Sequence, residues 1–286
     1  MCERYILVNT MEQIESRFEL PHQAITITPN YNISVGQFVP VITDDKPHEI
    51  QLFRFGLTPF WAKREMIIAN ARSEGYYNKE DYPGFKGAKG IILKPAFRKP
   101  IRSQRCLVLA SAFIEGIKES RLSMPYLVYL RNHKNPFAFA GIWDTWLNPQ
   151  TGENLNSFCM ITTTANNLMQ KIGHLRMPVI LSDNEEKKWI NLNTELSRIT
   201  AMLNHYDSKL MNAYPIDPKI KNPAENDKQL IQPIGERVLI EEKMPFIRFP
   251  HTSGYHQARR ANKAADTSTM SERLELSKSR EIQTNN

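Results

Sequence analysis

Three cysteines in 286 residues are too few and too oddly spaced for a disulfide framework. Cys2, Cys106 and Cys159 cannot all pair, which points to a reducing compartment, so the expected location is cytoplasmic. The sequence has no run of 18 apolar residues, which excludes a membrane-spanning helix. Its start lacks the charged segment and apolar stretch of a secretory signal. C-x-x-C, H-E-x-x-H and G-x-x-x-x-G-K-[ST] are all missing, and the seven histidines are scattered. No metal site is therefore expected. The stretch Gly84-Phe-Lys-Gly-Ala-Lys-Gly90 lacks the Lys-Ser/Thr and helix start of a phosphate loop, and reads as a mobile basic loop. There are no internal repeats.

What is present is a core and a positive charge. Hydrophobic residues make up 41% of the chain, and the formal net charge is +7 with a pI near 9.2. A basic excess favours polyanionic partners such as nucleic acid. Periodicity and punctuation predict strands at Tyr5–Val8, Ile50–Phe55, Met66–Ala69, Cys106–Ile114, Tyr126–Leu130, Phe137–Ile142, Phe158–Thr163 and Val179–Leu181. Helices are expected from Thr10 as cap through Phe18, from a Ser182 or Asp183 cap starting at Asn184, and from Thr194 as cap through Leu203. Strands and helices do not alternate, so the expected class is α+β, a curved mixed β-sheet or barrel-like core with a few flanking helices. The pattern fades near Ile240. The expected organisation is a domain over 1–240 and a polar, disordered tail over 241–286.

Cys2 is the most unusual position. Once Met1 is removed it carries an α-amine and a thiol on adjacent carbons. The amine can condense with an aldehyde and the thiol can then close a five-membered thiazolidine. An α-amine titrates at roughly 7.7–8.0, so about a tenth of it is free nucleophile near neutral pH. Cysteines at this position are usually incidental, so the chemistry needs further groups.

Four segments supply candidates: Met1-Cys-Glu-Arg-Tyr5; Phe55-Gly-Leu-Thr-Pro-Phe-Trp-Ala62 with Ala69-Asn-Ala-Arg-Ser-Glu74; Lys94-Pro-Ala-Phe-Arg98 through Arg105 to Gly116; and Thr162-Thr-Thr-Ala-Asn166 with His174-Leu-Arg-Met-Pro178. Glu115 ends an apolar run, where a carboxyl suits a general acid, or it is a solvated turn residue. His174 sits between a glycine and a strand start, as a site residue or a satisfied turn histidine. Asn70 orients an amine or caps a turn. Phe60 and Trp61 are core or a stacking platform for unpaired bases. The run Arg98 to Arg105 tracks a phosphate backbone or is a solvated loop.

Taken in order, these segments, with Leu230-Ile-Gln-Pro233, resemble the SRAP family, the SOS response-associated peptidase-like proteins that process abasic sites in single-stranded DNA. The resemblance implies that Cys2 is the nucleophile, that Asn70 holds its α-amine, that Glu115 is the acid/base and that His174 stabilises or protonates a Schiff base. By the same resemblance Arg4, Arg72 and Arg98 contact phosphates, with Phe60 and Trp61 near the bases. The implied activity is a thiazolidine DNA–protein crosslink (Schiff-base, lyase-type chemistry), with loss of Met1 by autopeptidase action or by an aminopeptidase. It implies no cofactor and no metal, abasic single-stranded DNA as partner, no membrane, and a monomer by default. The alternatives are a cysteine peptidase acting on other proteins, and a non-catalytic single-strand binder. Three positions depart from the family pattern: Glu3 in place of glycine, Val35 in place of proline, and Leu175 in place of an aspartate beside His174.

Overall fold

The computed structural model describes residues 2–240 apart from 120 and 132; the tail expected at 241–286 lies outside the described residues. Among the described residues there are thirteen strands: β1 (Arg4–Leu7), β2 (Asn30–Ser34), β3 (Phe38–Thr43), β4 (Ile50–Phe55), β5 (Asn70–Arg72), β6 (Arg105–Ala110), β7 (Ala112–Gly116), β8 (Pro125–Leu130), β9 (Phe137–Leu147), β10 (Asn154–Thr164), β11 (Arg176–Pro178), β12 (Ile180–Leu181) and β13 (Met211–Pro215). Five short helices accompany them: α1 (Met11–Phe18), α2 (Pro100–Ser103), α3 (Asn167–Lys171), α4 (Asp183–Trp189) and α5 (Leu196–Ala201).

Strands β10, β4, β3, β6 and β9 pair in that order, and β9 pairs back to β10, so five strands close a barrel. Closure removes the unpaired edges that an open sheet would present. The sheet is extended by β5 and β11 on β10 and by β12 on β9. A second sheet has the order β13-β8-β7-β1-β2. This is the α+β, barrel-like class expected from the sequence.

Aromatic rings join the two sheets. Tyr5 of β1 meets Phe55 of β4 edge-on at 5.8 Å and Phe139 of β9 at 6.0 Å. Phe113 of β7 meets Phe139 at 5.8 Å, and Phe55 stacks on Phe158 of β10 at 5.3 Å. All five side chains are fully buried. Burial of a ring of this size is worth about 1.5–3 kcal/mol, and each edge-to-face pair adds about 0.5–1.5.

The apolar run Cys106–Ile114 is two strands rather than one. Ser111 breaks it because its backbone N–H donates to Ile6 O at 2.6 Å, and its hydroxyl accepts from Val8 N–H at 3.0 Å. Its hydroxyl also donates to Asn9 Oδ1 at 2.7 Å. At this corner the chain leaves the barrel as β6 and enters the second sheet as β7, while β1 is tied to the turn.

The strand expected at Met66–Ala69 begins instead at Asn70. Met66 O is taken by Arg54 Nη2 at 3.1 Å and by the Thr58 hydroxyl, and Ile68 makes only an isolated bridge to Leu57. The excursion 56–69 therefore stands out between β4 and β5, which lie in succession along β10 with parallel pairings Phe158↔Phe55 and Met160↔Asn70.

Thr10 caps α1 as expected, in a capping box with Gln13, and Ser182 caps α4 with Glu185. The third helix is shorter than expected, Leu196–Ala201, and Thr194 does not cap it. The Thr194 hydroxyl donates back to Lys188 O at 2.8 Å and closes the end of α4 instead.

Candidate active site and nucleic-acid interface

Cys2 lies two residues before the start of β1, and Glu115 lies on the neighbouring strand β7, with Arg4 opposite Ile114. The thiol is 1% exposed. Burial pushes its pKa well above the ordinary value, and the Glu115 carboxylate beside it pushes the same way. From the barrel side, β5 presents Asn70, whose Nδ2 donates to Cys2 O at 3.0 Å. The residue expected to hold the amine is therefore held to the Cys2 backbone on its carbonyl side. Asn70 Oδ1 and Glu115 Oε1 are buried and have no hydrogen-bond partner among the described residues.

His174 ends the turn after α3 and precedes β11. Its Nδ1 lies 2.8 Å from Gly116 O, and its Nε2 lies 3.3 Å from Glu115 Oε2. Gly116 O can only accept, so Nδ1 carries a hydrogen. A proton on either Nε2 or Oε2 makes that contact a hydrogen bond. A backbone carbonyl, Gly116 O, thus orients the ring on its Nδ1 side. Leu175 itself uses its carbonyl to accept from Ala165 N–H at 3.0 Å.

A cavity of about 360 Å³ opens onto Glu115 and His174, lined also by Glu3, Arg4, Lys118 and Lys221. Lys118 and Lys221 give no signal in the local sequence and were not expected here. Glu3 is exposed at the cavity rather than turned into the core. Arg4 lines it half-buried, its Nη2 donating to Lys221 O at 3.2 Å, and burial lowers its pKa.

The other expected phosphate contacts divide. Arg98 is exposed and shares a second cavity, of about 470 Å³, with Phe60, Trp61, Pro95 and Lys99. Phe60 and Trp61 are 52% and 47% exposed, so they are not core residues, and Lys99 Nζ lies 4.7 Å from the centre of the Phe60 ring. Phe60 N–H is fixed by Asp144 Oδ2 at 2.8 Å.

Arg72 differs. Its guanidinium is committed to Asn78 O and to Asp81 Oδ1, the latter at 2.6 Å, and only its flank reaches a cavity beside Asn70. Arg105, the end of the expected basic run, is fully buried and donates to the carbonyls of Trp189 (2.6 Å), Ile101 (3.3 Å) and Asn191 (3.0 Å). That run is not a solvated backbone track along its whole length, because Arg105 ties α4 and α2 to the barrel. Val35 is partly buried against the core.

Sequence reasoning missed one joint. Arg176 of the H-x-R-M-P segment pairs with Glu74 of the N-A-R-x-E segment, Nη2 to Oε2 at 2.9 Å, and with Asp81 at 2.9 Å. Thr162 and Thr163 complete it, through Arg176 Nη2 at 3.1 Å and Glu74 Oε1 at 3.2 Å. The signal was the charge complementarity of the two segments. Cys106 and Cys159 are buried small residues, as expected. Among the described residues no His/Cys/Asp/Glu cluster could hold a metal, and no helix is long and apolar enough to cross a membrane.

A buried cysteine near the start of the chain, a carboxyl–imidazole pair and a carboxamide thus lie where a closed barrel meets its companion sheet. The chain belongs to the SOS response-associated peptidase (SRAP) family, whose description it matches over residues 1–223. It is 33% identical over 240 residues to the abasic site processing protein YoqW of Bacillus subtilis, covering 81% of this chain and 99% of that one. It is 26% identical over 251 residues to the abasic site processing protein HMCES of Xenopus tropicalis, covering 76% and 69% respectively. A solved protein from Bacteroides thetaiotaomicron superposes with a TM-score of 0.67 at 28% identity, covering 81% of this chain and 99% of that chain.

Proposed function

We propose that this protein processes abasic sites in single-stranded DNA by covalent capture at Cys2, after loss of Met1. The α-amine of Cys2 attacks the aldehyde carbon of the ring-opened sugar, and loss of one water gives the imine. The thiol then adds to the imine carbon, its proton passes to the nitrogen, and a thiazolidine links protein to DNA. One water is the only by-product, and no oxidant or cofactor is needed.

The observation that carries this reading is the pair of unpartnered buried acceptors, Asn70 Oδ1 and Glu115 Oε1, set in the wall around Cys2. Buried polar atoms without partners are rare and costly. A newly exposed α-amine supplies the donors they lack. Glu115 and His174 then open the sugar and move protons to and from the imine. The cavity with Arg4, Lys118 and Lys221 suits the flanking phosphates, and Phe60 and Trp61 suit unstacked bases.

The state of the thiol favours amine-first chemistry. Burial and Glu115 keep it protonated, whereas a cysteine peptidase needs a thiolate activated by a histidine. Here both His174 nitrogens face other groups, Gly116 O and Glu115. Removal of Met1 is assigned to autoproteolysis or to an aminopeptidase, and shielding of the lesion is the proposed consequence of the crosslink.

The test mixes the purified protein with a single-stranded oligonucleotide bearing one abasic site and resolves the products on a denaturing gel beside Cys2→Ala. A retarded band in the wild type that is lost in the variant is expected. No band from protein whose Met1 is absent by mass spectrometry sinks the proposal.

A further inference from the structure

The loop after Asn70 carries a surface that the capture chemistry does not use. Residues 73–90 leave β5 and return to their starting point, with Ile91 N–H donating to Ser73 O at 3.1 Å. The two ends touch through their backbones. Gly75 has φ +61°, and a Cβ there would fall 2.8 Å from the carbonyl carbon of Gly90; one on Gly90 would fall 2.6 Å from Glu74 O. Only glycines permit that crossing. Within the loop, Asn78 closes a turn on Tyr82, accepting from its N–H at 2.9 Å and donating to its carbonyl at 3.1 Å. The loop is thus braced at its two ends and at Asn78.

Three large rings stand on it in water: Tyr76, Tyr77 and Tyr82 are 72%, 56% and 65% exposed. Beneath Tyr76 lies a cavity of about 270 Å³ lined by Asn70, Arg72, Tyr76, Lys79, Lys94 and Phe97. No acidic side chain lines it. The nearby Asp81 and Glu74 are neutralised by Arg72 and Arg176. The Lys94 ammonium covers one face of the Tyr76 ring and draws its phenol pKa down, which leaves the other face for a ligand. The short segment Lys94–Lys99 joins this cavity to the one at Phe60 and Trp61: Lys94 and Phe97 line the first, and Pro95, Arg98 and Lys99 line the second. Rings interleaved with lysines along a groove match an unpaired polynucleotide, whose bases stack and whose phosphates need cations.

We propose that Tyr76, Lys79 and Lys94 form a second nucleotide subsite, which stacks one base on Tyr76 and holds its phosphate on the lysines, separate from the Phe60–Trp61 platform. This rests on the reading of the Cys2 site as a single-stranded DNA site. It adds a track along which the strand runs past Asn70.

The test uses undamaged single-stranded oligonucleotides and fluorescence anisotropy with the full chain at several salt concentrations. Tyr76→Ala is expected to bind a long oligonucleotide about tenfold more weakly, with the salt slope unchanged. Lys79→Ala is expected to lower the slope of log affinity on log salt by about 0.7. Trimming the oligonucleotide from one end should weaken the wild type by the same factor, and Tyr76→Ala should then match it. Equal binding of the long oligonucleotide by wild type and Tyr76→Ala overturns the subsite, as does a gap that persists after trimming from either end. Because these strands carry no lesion, the outcome is separable from the capture reading. A wild type that shows the Tyr76 effect yet forms no Cys2 crosslink sinks capture and keeps the subsite.

Discussion

Arg176 and Glu74 meet head to head with their side chains 4% and 1% exposed, and so join the strand that follows His174 to the end of the strand that begins at Asn70. Two short motifs 100 residues apart are one joint, and the Asn70 and His174 ends of the site are spaced by it. Removing one member of a buried pair strands the other charge, which costs about 3–5 kcal/mol. Arg176→Met is expected to lower the unfolding free energy obtained from urea titration by that much. The double variant with Glu74→Leu should recover a large part of the loss. Additive losses would mean that the pair is not coupled.

The Glu115–His174 contact makes a sharper chemical prediction. Glu115→Gln keeps the shape but removes the carboxyl that faces Nε2. At saturating abasic DNA the crosslinking rate should fall by about 10²–10⁴. Rapid-quench gels of wild type and variant measure this, and a change below about threefold would remove Glu115 from the proton path.

Thiol chemistry provides an independent check. All three cysteines are buried with raised pKa values, Cys2 and Cys106 well above the ordinary thiol. An aromatic disulfide reagent is expected to find no fast thiol in the folded protein, and three after addition of guanidinium. One fast thiol in the folded state, mapped to Cys2, would instead indicate the exposed thiolate of a peptidase.

Two buried carboxylates beside arginines respond oppositely to pH. Burial acts to raise Glu74, but Arg176 and the hydrogen bonds outweigh it, and the net shift is downward. Its contribution is present above the ordinary carboxylate range and is lost on acidification. For Glu186, burial prevails over Arg17 and raises the pKa to about 7. The folded state then holds a proton that the unfolded chain has released, so stability is fully present below pH 4.5 and is lost as pH rises through about 7. At about 1.4 kcal/mol per pKa unit the loss is on the order of 3 kcal/mol. Denaturant midpoints between pH 4.5 and 8 should fall in the wild type and flatten in Glu186→Gln. Equal slopes would refute the assignment.

The sequence disclosed chemistry better than pairing. Cys2, Asn70, Glu115 and His174 could be found because each lies in a short segment whose residue types carry meaning locally, and the fold brings them together. The strand expected at Ile50–Phe55 has its true limits, whereas those expected at Phe137–Ile142 and Phe158–Thr163 are the apolar parts of longer strands, Phe137–Leu147 and Asn154–Thr164, whose polar ends carry no apolar signal. β3 was hidden by Pro40, which sits in mid-strand opposite Leu52 where β6 pairing has not begun, its first partner there being Val41. β2, with two asparagines and a serine in five residues, has too little apolar character to read as a strand. Arginines were the least legible: charge is local, but partners are not. Arg72 is spent on Asp81 and Arg105 on helix-end carbonyls, whereas Arg98 remains in solvent beside Phe60.

The corner at Ser111 has an implication for when the chain becomes reactive. Cys2 and Glu115 belong to the companion sheet, while Asn70 and His174 come with the barrel. Neither half alone holds a complete set. In a nascent or partly unfolded chain, Glu115 and His174 are therefore not held beside Cys2. Docking of the two halves is therefore the step that assembles the four side chains into one place.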